Sequence, residues 1–525
     1  MKLEGYSIIG SKSGQGAGAT WQVTNPHTGE QLDTVFHAED ISGVDQAVVL
    51  AEEAFESYGY SSNQKRAEFL RTIADEINAI EEEIVPRMMA ESALPEARCR
   101  GEKGRTIGQL RMFADLVEEG SWLDARIDLA QPDRAPIPKP DLRSMQRPLG
   151  PVAVFCASNF PLAFSVAGGD TASALAAGCP VVVRAHAAHP GVAELVGKAV
   201  QAAVAKCGLA EGVFSLVFDD GLALGTALAQ HAGIKAIGFT GSRSGGRALM
   251  DLAAAREVPI PVYAEMSSIN PIFILPDALR ERSAQIAEGL VGSVSLGVGQ
   301  FCTSPGLVFI AGERGDEFVS AVAEGLGAVP PATMLHQGIA NNFSSGVEQM
   351  AAQEGVEQVT STEATGCQAG ASVFQTDLEQ FLANEKLSAE VFGPSTLIVD
   401  CGSEERFIEA AKILEGQLTA SIHGTDADLE KAGSLLSLLS HRAGRLIVNG
   451  FPTGVDVCPS MVHGGPYPAT SDGSSSSVGT QAITRFTRAV SWQGVPESLL
   501  PLELQSSNPL GIWRLVDGSL SKELV

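Results

Sequence analysis

The sequence lacks the features of a secreted, metal-binding or membrane-spanning protein. Its 8 cysteines are scattered, without a C-x-x-C pair or a histidine cluster at ligand spacing, so we predict no metal site and a reducing compartment. The N-terminus has no apolar leader core, and no run of about 18 apolar residues occurs. We expect a cytoplasmic protein that makes no use of a membrane.

Positive charge is also scarce. Asp plus Glu outnumber Lys plus Arg by 62 to 36, which gives a net charge of −26. Such a charge repels nucleic acid and anionic lipid, so neither is expected as a partner. An acidic substrate would receive no long-range attraction and would need a local cation.

Length and composition indicate a folded chain of several domains. With 525 residues, 44% of them hydrophobic and 19% charged, the chain exceeds what one core usually serves. We predict two or three domains.

The N-terminal part is predicted as a hairpin followed by helices. Asn25-Pro26 and Thr28-Gly29-Glu30 indicate a turn between short strands. From Val44 to about Trp122, apolar residues recur every three or four positions, which predicts amphipathic helices. Prolines at positions 132, 136, 138 and 140 exclude helix and central strand, so an extended arm is expected there.

Two later regions alternate short apolar strands with helices, which is typical of parallel, doubly wound sheets. The predicted strands are Val152–Cys156, Val181–Arg184, Val213–Val217, Ala236–Phe239 and Val262–Ala264, then Ile272–Leu275, Leu307–Ile310, Thr396–Val399 and Arg445–Asn449. Ser474–Ser477 is predicted to be a mobile loop, and Gln481–Gln493 a strand.

Cys302 is the first candidate nucleophile. It lies in Gly299-Gln300-Phe301-Cys302-Thr303-Ser304-Pro305, a loop led by glycine and closed by proline after a helix-like run. The thiolate is the reactive form, and backbone N–H groups of such a loop can stabilise an oxyanion. The alternative is a small buried hydrophobe, which describes most free cysteines.

A glycine-containing turn is the candidate phosphate site. The segment Phe239–Gly246 follows a predicted strand and opens a helix, so the backbone at Gly241, Ser242 and Gly246 could meet a pyrophosphate. Ordinary strand-to-helix packing is the alternative.

These two motifs and three others occur in the order found in the aldehyde dehydrogenase superfamily, and the chain resembles that family over roughly residues 20–490. The other three motifs are Ser158–Leu162, Ala264–Pro271 and Glu390–Pro394. The segments Ser158–Ala176, His189–Gly191 and His463–Pro466 are similar to a branch that uses NADP and acts on 2,5-dioxopentanoate, also called α-ketoglutaric semialdehyde.

The resemblance implies catalytic roles. Cys302 would attack the aldehyde, and the Asn159 amide with the Cys302 N–H would stabilise the oxyanion. Glu265 would be the general base for thioester hydrolysis, a role that suits a carboxylate whose pKa lies near the working pH. His463 would approach the nucleophile. Without the resemblance, Asn159 reads as a helix cap, Glu265 as a surface charge and His463 as an ordinary hydrogen-bonded histidine.

The resemblance also implies cofactor contacts. Glu390 would hold the nicotinamide ribose and Phe392 would pack beside the ring. The segment from Arg184 through His186 would lie at the adenosine end, with Arg184 where the family usually has lysine. Ala187 stands where members that prefer NAD carry an acid. Since that acid would repel a 2′-phosphate, we predict NADP as the preferred cofactor, with NAD also possible.

Substrate contacts are predicted beside the nucleophile. Arg105 and Gln109 lie four residues apart and share a helix face, and the comparable helix of the family borders the substrate entrance. Phe164 and Phe451 would form apolar walls. A solvated helix charge is the alternative for Arg105.

The resemblance implies an α/β fold with two doubly wound domains and a small β oligomerisation arm. We assign residues 1–130 and 150–265 to a nucleotide-binding domain, 266–465 to a catalytic domain, and 131–149 with 478–525 to the arm and tail. The arm would build a homodimer or homotetramer.

The function predicted from these features is NADP-dependent oxidation of an aldehyde to a carboxylic acid, with α-ketoglutaric semialdehyde going to 2-oxoglutarate. A dehydrogenase of the same branch acting on fatty or other aldehydes is an alternative. A CoA-acylating enzyme is disfavoured because it needs no water-activating base such as Glu265. A non-enzymatic binding protein is disfavoured by the intact set of Cys302, Asn159, Glu265 and Glu390.

Overall fold

The computed structural model describes residues 2–219 and 221–525. Within these residues the strands form two seven-stranded sheets, one five-stranded sheet and two two-stranded ribbons. Helices cover both faces of the two large sheets, which is the α/β architecture that alternating strands and helices predict.

The N-terminal region contains six strands and four helices. They are β1 (Ile8–Ile9), β2 (Lys12–Ser13), β3 (Thr20–Thr24), β4 (Gln31–His37), α1 (Ile41–Tyr58), α2 (Asn63–Ala79), α3 (Glu81–Ser92), α4 (Glu96–Glu119), β5 (Arg126–Asp128) and β6 (Leu142–Pro148). The predicted hairpin is confirmed, because β3 and β4 pair antiparallel. Side-chain caps start α1 and α2, since Asp40 accepts from the N–H of Gly43 and Ser62 from that of Lys65.

The first large sheet carries the glycine-containing turn. Its further elements are β7 (Val152–Phe155), α5 (Gly169–Ala177), β8 (Val181–Arg184), α6 (Pro190–Lys206), β9 (Phe214–Val217), α7 (Ala223–Gln230), β10 (Ala236–Thr240), α8 (Arg243–Ala254) and β11 (Val262–Glu265). The strand order is β11-β10-β7-β8-β9-β1-β2, with β7 to β11 parallel. The order reverses between β10 and β7, and ligands of open α/β sheets bind at such a switch point, beyond the carboxyl ends of the strands.

Both faces of this sheet are buried, which explains its continuous apolar strands. In β7, Val152 and Val154 belong to one apolar cluster, while Ala153 and Phe155 belong to the cluster on the opposite face. Residues that alternate along a strand point to opposite faces, so helices on both sides are needed to cover them.

The second large sheet follows directly. Its elements are β12 (Ile272–Ile274), α9 (Pro276–Ser295), β13 (Leu307–Ile310), α10 (Gly315–Gly327), β14 (Ala332–Thr333), α11 (Gln337–Ala351), β15 (Glu357–Ser361), β16 (Gln368–Ala369), β17 (Ser372–Asp377), α12 (Leu378–Ala383), β18 (Ser395–Asp400), α13 (Phe407–Ile413), β19 (Gln417–His423), α14 (Asp426–Lys431), α15 (Gly433–Ser440) and β20 (Ala443–Val448). The order is β15-β17-β18-β13-β12-β19-β20, and only β15 pairs antiparallel. The small ribbon β14-β16 stands apart.

The third sheet joins the proline-flanked segment to the C-terminal tail. Its last strands are β21 (Thr487–Gln493), β22 (Arg514–Val516) and β23 (Ser519–Ser521), and its order is β21-β6-β5-β22-β23. The sheet includes β5, which lies before the predicted arm segment. The proline-rich stretch itself is the connection between β5 and β6, bridged once between Gln131 and Lys139.

Two predictions for the C-terminal part are confirmed only in part. Only the second half of Gln481–Gln493 is a strand, because Thr480–Phe486 forms a 3-10 helix that buries Ile483 and Phe486. Ser474–Ser477 lies outside helices and strands, as a loop prediction requires, but Ser476 and Ser477 are 2% and 7% exposed and form buried hydrogen bonds.

Among the described residues, no helix combines the length and the apolar character needed to cross a bilayer.

Candidate active site

Cys302 lies in the loop between a 3-10 helix at Leu296–Gly299 and β13. Gly299 has φ +65°, and a Cβ there would lie 2.2 Å from the backbone carbon of Gly393. The left-handed backbone and the close approach both require glycine at this position. The preceding Val298 has φ +59°, which is unfavourable for a β-branched residue. The loop is therefore held in a strained conformation against the Gly393 segment.

Asn270 fixes the nucleophile loop from the other side. Its Nδ2 donates to the carbonyl oxygens of Cys302 and Ser304 at 2.9 and 3.0 Å. Its own backbone N–H donates to Oε1 of Gln417 on β19. The connection between β11 and β12 thus positions the loop through buried hydrogen bonds.

The structure brings Cys302, His463 and Glu265 together. Sγ of Cys302 lies 3.3 Å from Nε2 of His463, and the same nitrogen lies 2.8 Å from Oε1 of Glu265. The hydroxyl of Ser477 donates to Oε2 of Glu265 at 2.6 Å. Nε2 can therefore accept a proton from the thiol in one tautomer and donate to the carboxylate in the other.

The donor atoms of Glu265, Cys302 and His463 lie within 4.8 Å of one another. Within the described parts of the chain they form the one group of this kind that could hold a metal ion, although the sequence predicts none. Hydrogen bonds among the three side chains account for their proximity.

The charges of the thiol and the carboxylate follow from their surroundings. Burial raises the pKa of Cys302 well above its usual value, and the negative charge of Glu265 raises it further. Burial also acts to raise the pKa of Glu265, but the interaction and hydrogen bond with His463, together with the hydroxyl of Ser477, outweigh it and hold that pKa below its usual range. The resting pair is a neutral thiol and an ionised carboxylate.

This differs from the sequence-based expectation that the pKa of a general base lies near the working pH. The hydrogen bonds to Glu265 stabilise its charged form, so the carboxylate alone is a weak base. The neighbouring imidazole of His463 is the group placed to take a proton from Cys302.

Asn159 reaches the same loop from the end of β7. Its Nδ2 donates to the carbonyl oxygen of Gln300 at 3.1 Å, which leaves one amide proton for another acceptor. The following turn is anchored by Glu102, whose buried Oε1 accepts from the N–H groups of Leu162 and Ala163. The amide is thus held beside the nucleophile loop by the α4 helix.

A pocket of about 340 Å³ connects Cys302 to the switch point of the first sheet. It is lined by Ala157, Ser158, Asn159, Thr240, Gly241, Ser242, Glu265, Met266, Ser267, Cys302, Ile339, Asn342, Phe343, Gly346, Glu390, Val391 and Phe392. It joins the predicted nucleophile, base and amide with four of the predicted cofactor residues, which are Gly241, Ser242, Glu390 and Phe392.

The predicted phosphate turn forms one wall of this pocket. The Gly241 N–H donates to the carbonyl oxygen of Glu265, and Ser242 caps α8 by accepting from the N–H of Gly245. At Gly246 a Cβ would lie 2.5 Å from Sδ of Met266, so this glycine allows α8 to pack closely. The helix N-terminus, the Ser242 hydroxyl and the open pocket fit a dinucleotide pyrophosphate.

Glu390 and Phe392 line the pocket opposite α8. Burial raises the pKa of Glu390 to about 7, and the charge of Glu265 adds to this effect, while hydrogen bonds from Ser267 and Ser268 oppose it. Glu390 can therefore exchange a proton near neutral pH or accept hydrogen bonds from a ribose.

The remaining predicted cofactor residues lie at the end of β8. Arg184 donates to the carbonyl oxygen of Gly221 at 2.7 Å and lies 3.5 Å from Oδ2 of Asp219. His186 stacks on His189 with ring centroids 5.4 Å apart and lies 5.8 Å from His336. His186 is thus packed among histidine rings and does not line the pocket that contains Cys302.

Of the predicted substrate residues, Arg105 and Phe164 lie near the nucleophile. Nη1 of Arg105 donates to the carbonyl oxygen of Val455 at 2.9 Å, and its guanidinium lies 5.7 Å from the Phe164 ring. The Phe164 ring in turn lies 6.4 Å from that of His463. These side chains form a wall beside the contact of His463 with Cys302.

The structure does not bring the other two predicted substrate residues to this wall. Gln109 is buried one turn further along α4 and lies against Gly169. Phe451 packs on His423, with ring centroids 4.8 Å apart, and against Gly289 of α9. It therefore belongs to the core of the second sheet and not to the thiol pocket.

Ser477 and Asn270 are site residues for which no role was predicted from the sequence. Ser477 lies in a serine tract that resembles a solvated loop, and nothing local marks its bond to Glu265, 212 residues away. For Asn270, the signal was its place in the Ala264–Pro271 motif, whose hydrogen bonds to the nucleophile loop only the fold reveals.

Comparison with known proteins gives a consistent result. The model of the aldehyde dehydrogenase family matches residues 13–490. The chain is 51% identical over 522 residues to alpha-ketoglutaric semialdehyde dehydrogenase 2 of Azospirillum brasilense, covering 99% of each protein. It is 44% identical to the alpha-ketoglutaric semialdehyde dehydrogenase of Acinetobacter baylyi, covering 93% of each.

Solved structures show the same fold at lower identity. Aldehyde dehydrogenase C of Pseudomonas syringae, solved with NAD+ and octanal, matches with a TM-score of 0.78 at 22% identity, over 93% of this chain and 96% of that one. Betaine aldehyde dehydrogenase of Staphylococcus aureus, solved with NAD+, matches with a TM-score of 0.80 at 18% identity, over 94% and 96%.

Proposed function

The chain belongs to the aldehyde dehydrogenase family, and from this premise we propose that it oxidises α-ketoglutaric semialdehyde to 2-oxoglutarate with NADP as the hydride acceptor. The names and near-complete coverage of the two relatives at 51% and 44% identity support this substrate. The observation that carries the chemistry is the contact of Cys302, His463 and Glu265 beside the pocket.

The first half-reaction forms a bond between Sγ and the aldehyde carbon. His463 takes the thiol proton at Nε2, across 3.3 Å, and Glu265 stabilises the resulting imidazolium at 2.8 Å. The thiolate then attacks, and the aldehyde oxygen gains a negative charge. The Asn159 amide and the N–H of Cys302 are the donors proposed for that oxyanion.

Collapse of this thiohemiacetal expels a hydride and leaves a thioester on Cys302. The nicotinamide of the bound cofactor supplies the hydride acceptor, and Glu390 and Phe392 are proposed to position it. Glu265 then takes a proton from water as its oxygen attacks the thioester, and His463 returns the proton it took from the thiol to the leaving sulfur. The carbon–sulfur bond breaks, the carboxylic acid leaves, and the thiol is restored.

NADP preference is proposed from the end of β8. Ala187 carries no acid that would repel a 2′-phosphate, and Arg184 offers a guanidinium fork. Asp219 lies 3.5 Å from that guanidinium, so a phosphate must compete with it. NAD remains the second cofactor, as in the relatives solved with NAD+.

The domain roles are proposed on the same basis. Residues 1–130 and 150–265 would bind the nucleotide, and 266–465 would supply the nucleophile. Residues 131–149 and 478–525 contribute most of the five-stranded sheet, whose outer strands leave backbone groups free for pairing with a second copy. We therefore propose a cytoplasmic homodimer or homotetramer.

A fatty or other uncharged aldehyde is the second candidate substrate, and one observation favours it. Phe160, Phe164 and Phe301 form an aromatic cluster beside the nucleophile loop. A CoA-acylating reaction is disfavoured by the buried contact of Glu265 with His463, because transfer to CoA needs no activated water.

A panel of aldehydes tests the proposal. The purified protein is incubated with α-ketoglutaric semialdehyde, succinic semialdehyde and uncharged aldehydes of similar length, each with NADP or NAD, and formation of the reduced cofactor is followed. The expected result is the highest kcat/KM for α-ketoglutaric semialdehyde with NADP. A preference for long uncharged aldehydes would replace the proposed substrate by the second candidate.

A further inference from the structure

Arg445 of β20 is a second cation near the nucleophile. Its Nη1 donates to the carbonyl oxygen of Gly454 at 3.1 Å and its Nη2 to that of Pro452 at 2.6 Å. Arg105, from α4, holds the carbonyl oxygen of Val455 in the same loop. Two guanidinium groups from different parts of the chain therefore meet on residues 452–455.

Both arginines lie close enough to Cys302 to interact with its charge. Burial lowers the pKa of Arg105 and of Arg445, and in each case a negative charge on Cys302 acts in the opposite direction. Neither guanidinium has a carboxylate oxygen within 4.0 Å among the residues that the structure describes. Each also has a buried Nε–H without a hydrogen-bond partner.

Unpaired cations in such a place are costly. Desolvating a guanidinium is unfavourable unless an anion or enough acceptors replace the water, and buried charges are therefore usually paired. The protein has 62 acidic residues and a net charge of −26. The charge of Asp456 acts on Arg445 and that of Glu102 on Arg105, but among the described residues no carboxylate forms an ion pair with either arginine. A carboxylate supplied by a ligand would complete the site, because the planar guanidinium binds it through paired hydrogen bonds.

The loop held by the two arginines also covers the aromatic cluster. Val455, Val457 and Met461 pack against the cluster of Phe160 and Phe164. A ligand on this side of Cys302 would meet an apolar wall with cationic groups at one end of it. A short aldehyde with a carboxylate at its far end has the matching pattern.

We propose that Arg445 and Arg105 form a subsite that binds the substrate carboxylate and so selects short aldehydes with a terminal carboxylate. This inference rests on the proposed function, because it assumes that the physiological substrate carries a carboxylate. It adds Arg445, on β20, as a specificity-determining residue that touches the substrate. The carbonyl contacts of Arg445 keep its guanidinium in place for this role.

Arg445→Gln and Arg445→Lys test the subsite, with Arg442→Gln as the matched control. Arg442 precedes the same strand, donates to the carbonyl oxygen of Lys412 and also has a buried, unpartnered Nε–H. Among the described residues its guanidinium forms no hydrogen bond with the 452–455 loop. Steady-state constants are measured for α-ketoglutaric semialdehyde and for pentanal, with competitive inhibition by glutarate as a direct measure of carboxylate binding.

The expected result is selective. Arg445→Gln raises KM for the semialdehyde and the inhibition constant of glutarate about tenfold or more, as the loss of a charge-assisted pair implies. Values for pentanal change less than about threefold. Arg445→Lys gives an intermediate loss because it keeps the charge without the fork. Arg442→Gln changes the constants for the semialdehyde, pentanal and glutarate by less than about twofold.

Four outcomes overturn the inference. Equal losses on the semialdehyde and pentanal mean that Arg445 only supports the loop. Unchanged glutarate inhibition in the Gln or the Lys variant means that no carboxylate contacts it, and the Lys variant decides if the Gln variant does not fold. If the wild type itself shows no preference for carboxylated aldehydes, the proposed substrate fails, and the subsite with it. A wild-type preference that survives Arg445→Gln rejects the subsite alone.

Discussion

Glu265 and His463 share a hydrogen bond of 2.8 Å although 198 residues separate them, and each side chain is only 2% exposed. The imidazole nitrogen in this bond also lies 3.3 Å from Sγ of Cys302. The same pair of residues can therefore accept a proton from the thiol in one step and a proton from the hydrolytic water in another. Variants that interrupt different parts of this arrangement should affect different half-reactions.

Cys302→Ala is expected to abolish aldehyde oxidation because it removes the nucleophile. The fold should persist, since alanine fills the position without strain. Cys458→Ala is the control, because Cys458 is also partly exposed and lies shortly before His463 in the sequence. Steady-state formation of NADPH measures both variants. Activity of Cys302→Ala above about a tenth of wild type would reject Cys302 as the nucleophile.

Glu265→Gln is expected to separate the two half-reactions. Hydride transfer can occur once, but the thioester then hydrolyses slowly because water is no longer activated. Rapid-mixing measurements should show a burst of NADPH close to one per active site, followed by little turnover. A linear time course without a burst would show that Glu265 acts before or during hydride transfer.

Ser477→Ala should move the acidic limb of the pH–rate profile. The hydroxyl donates to Oε2 of Glu265 at 2.6 Å and helps to hold the pKa of that carboxyl below its usual range. Without this donor the pKa rises, so Glu265 becomes protonated at higher pH and activity declines earlier as pH falls. kcat should also fall about tenfold, the value of one hydrogen bond to a charged group.

The control for this change is Ser474→Ala in the same tract. Ser474 is exposed, and its hydroxyl donates to Asp472 rather than to Glu265. Its pH–rate profile should match that of the wild type. An unshifted acidic limb in Ser477→Ala would show that Ser477 does not influence the ionisation of Glu265 in the working enzyme.

Cofactor choice is tested by adding the acid that the chain lacks. Ala187→Glu should lower kcat/KM for NADP by about tenfold or more while leaving that for NAD similar, because a carboxylate repels the 2′-phosphate. Arg184→Met should lower kcat/KM for NADP by a similar factor, because the positive charge that binds the 2′-phosphate is lost. Equal values for the two cofactors in the wild type would mean that Arg184 remains engaged by Asp219.

Arg105→Ala should raise KM for α-ketoglutaric semialdehyde or succinic semialdehyde at least about tenfold and barely change it for an uncharged aldehyde. Arg111→Ala, on the exposed side of the same helix where Arg111 pairs with Asp75, is the matched control. If charged and uncharged aldehydes lose equally, Arg105 supports the 452–455 loop and does not bind the substrate.

The sequence predicts strands best where both faces of a sheet are apolar. The bounds of β8 and β13 match their predicted limits, because a short apolar run such as Val181–Arg184 is typical of a buried strand. By contrast, β19 was not predicted. Its residues Gln417, Thr419, Ser421 and His423 are polar, yet they are buried by contacts that only the assembled sheet provides.

Site residues in local sequence motifs could be predicted, whereas those whose role depends on long-range contacts could not. Cys302, Glu265 and Asn159 lie in recognisable local patterns, and the fold brings them to one pocket. Phe451 lies in the chain segment that leads to His463, but its ring packs beside His423 and away from the thiol. Ser477 looked like part of a solvated tract because its partner lies on a different strand. Such pairings depend on topology, which composition and spacing do not encode.

The backbone contact between Gly299 and Gly393 has a consequence for the order of events. Gly299 precedes the nucleophile by three positions, and Gly393 follows the two residues proposed to hold the nicotinamide. The two backbones are packed without an intervening side chain, so a shift of the Gly393 segment would be passed to the nucleophile loop. A cofactor bound against Glu390 and Phe392 would therefore influence the position of the loop that carries Cys302 before the aldehyde binds. The thiol would then reach its reactive position only when the cofactor is bound.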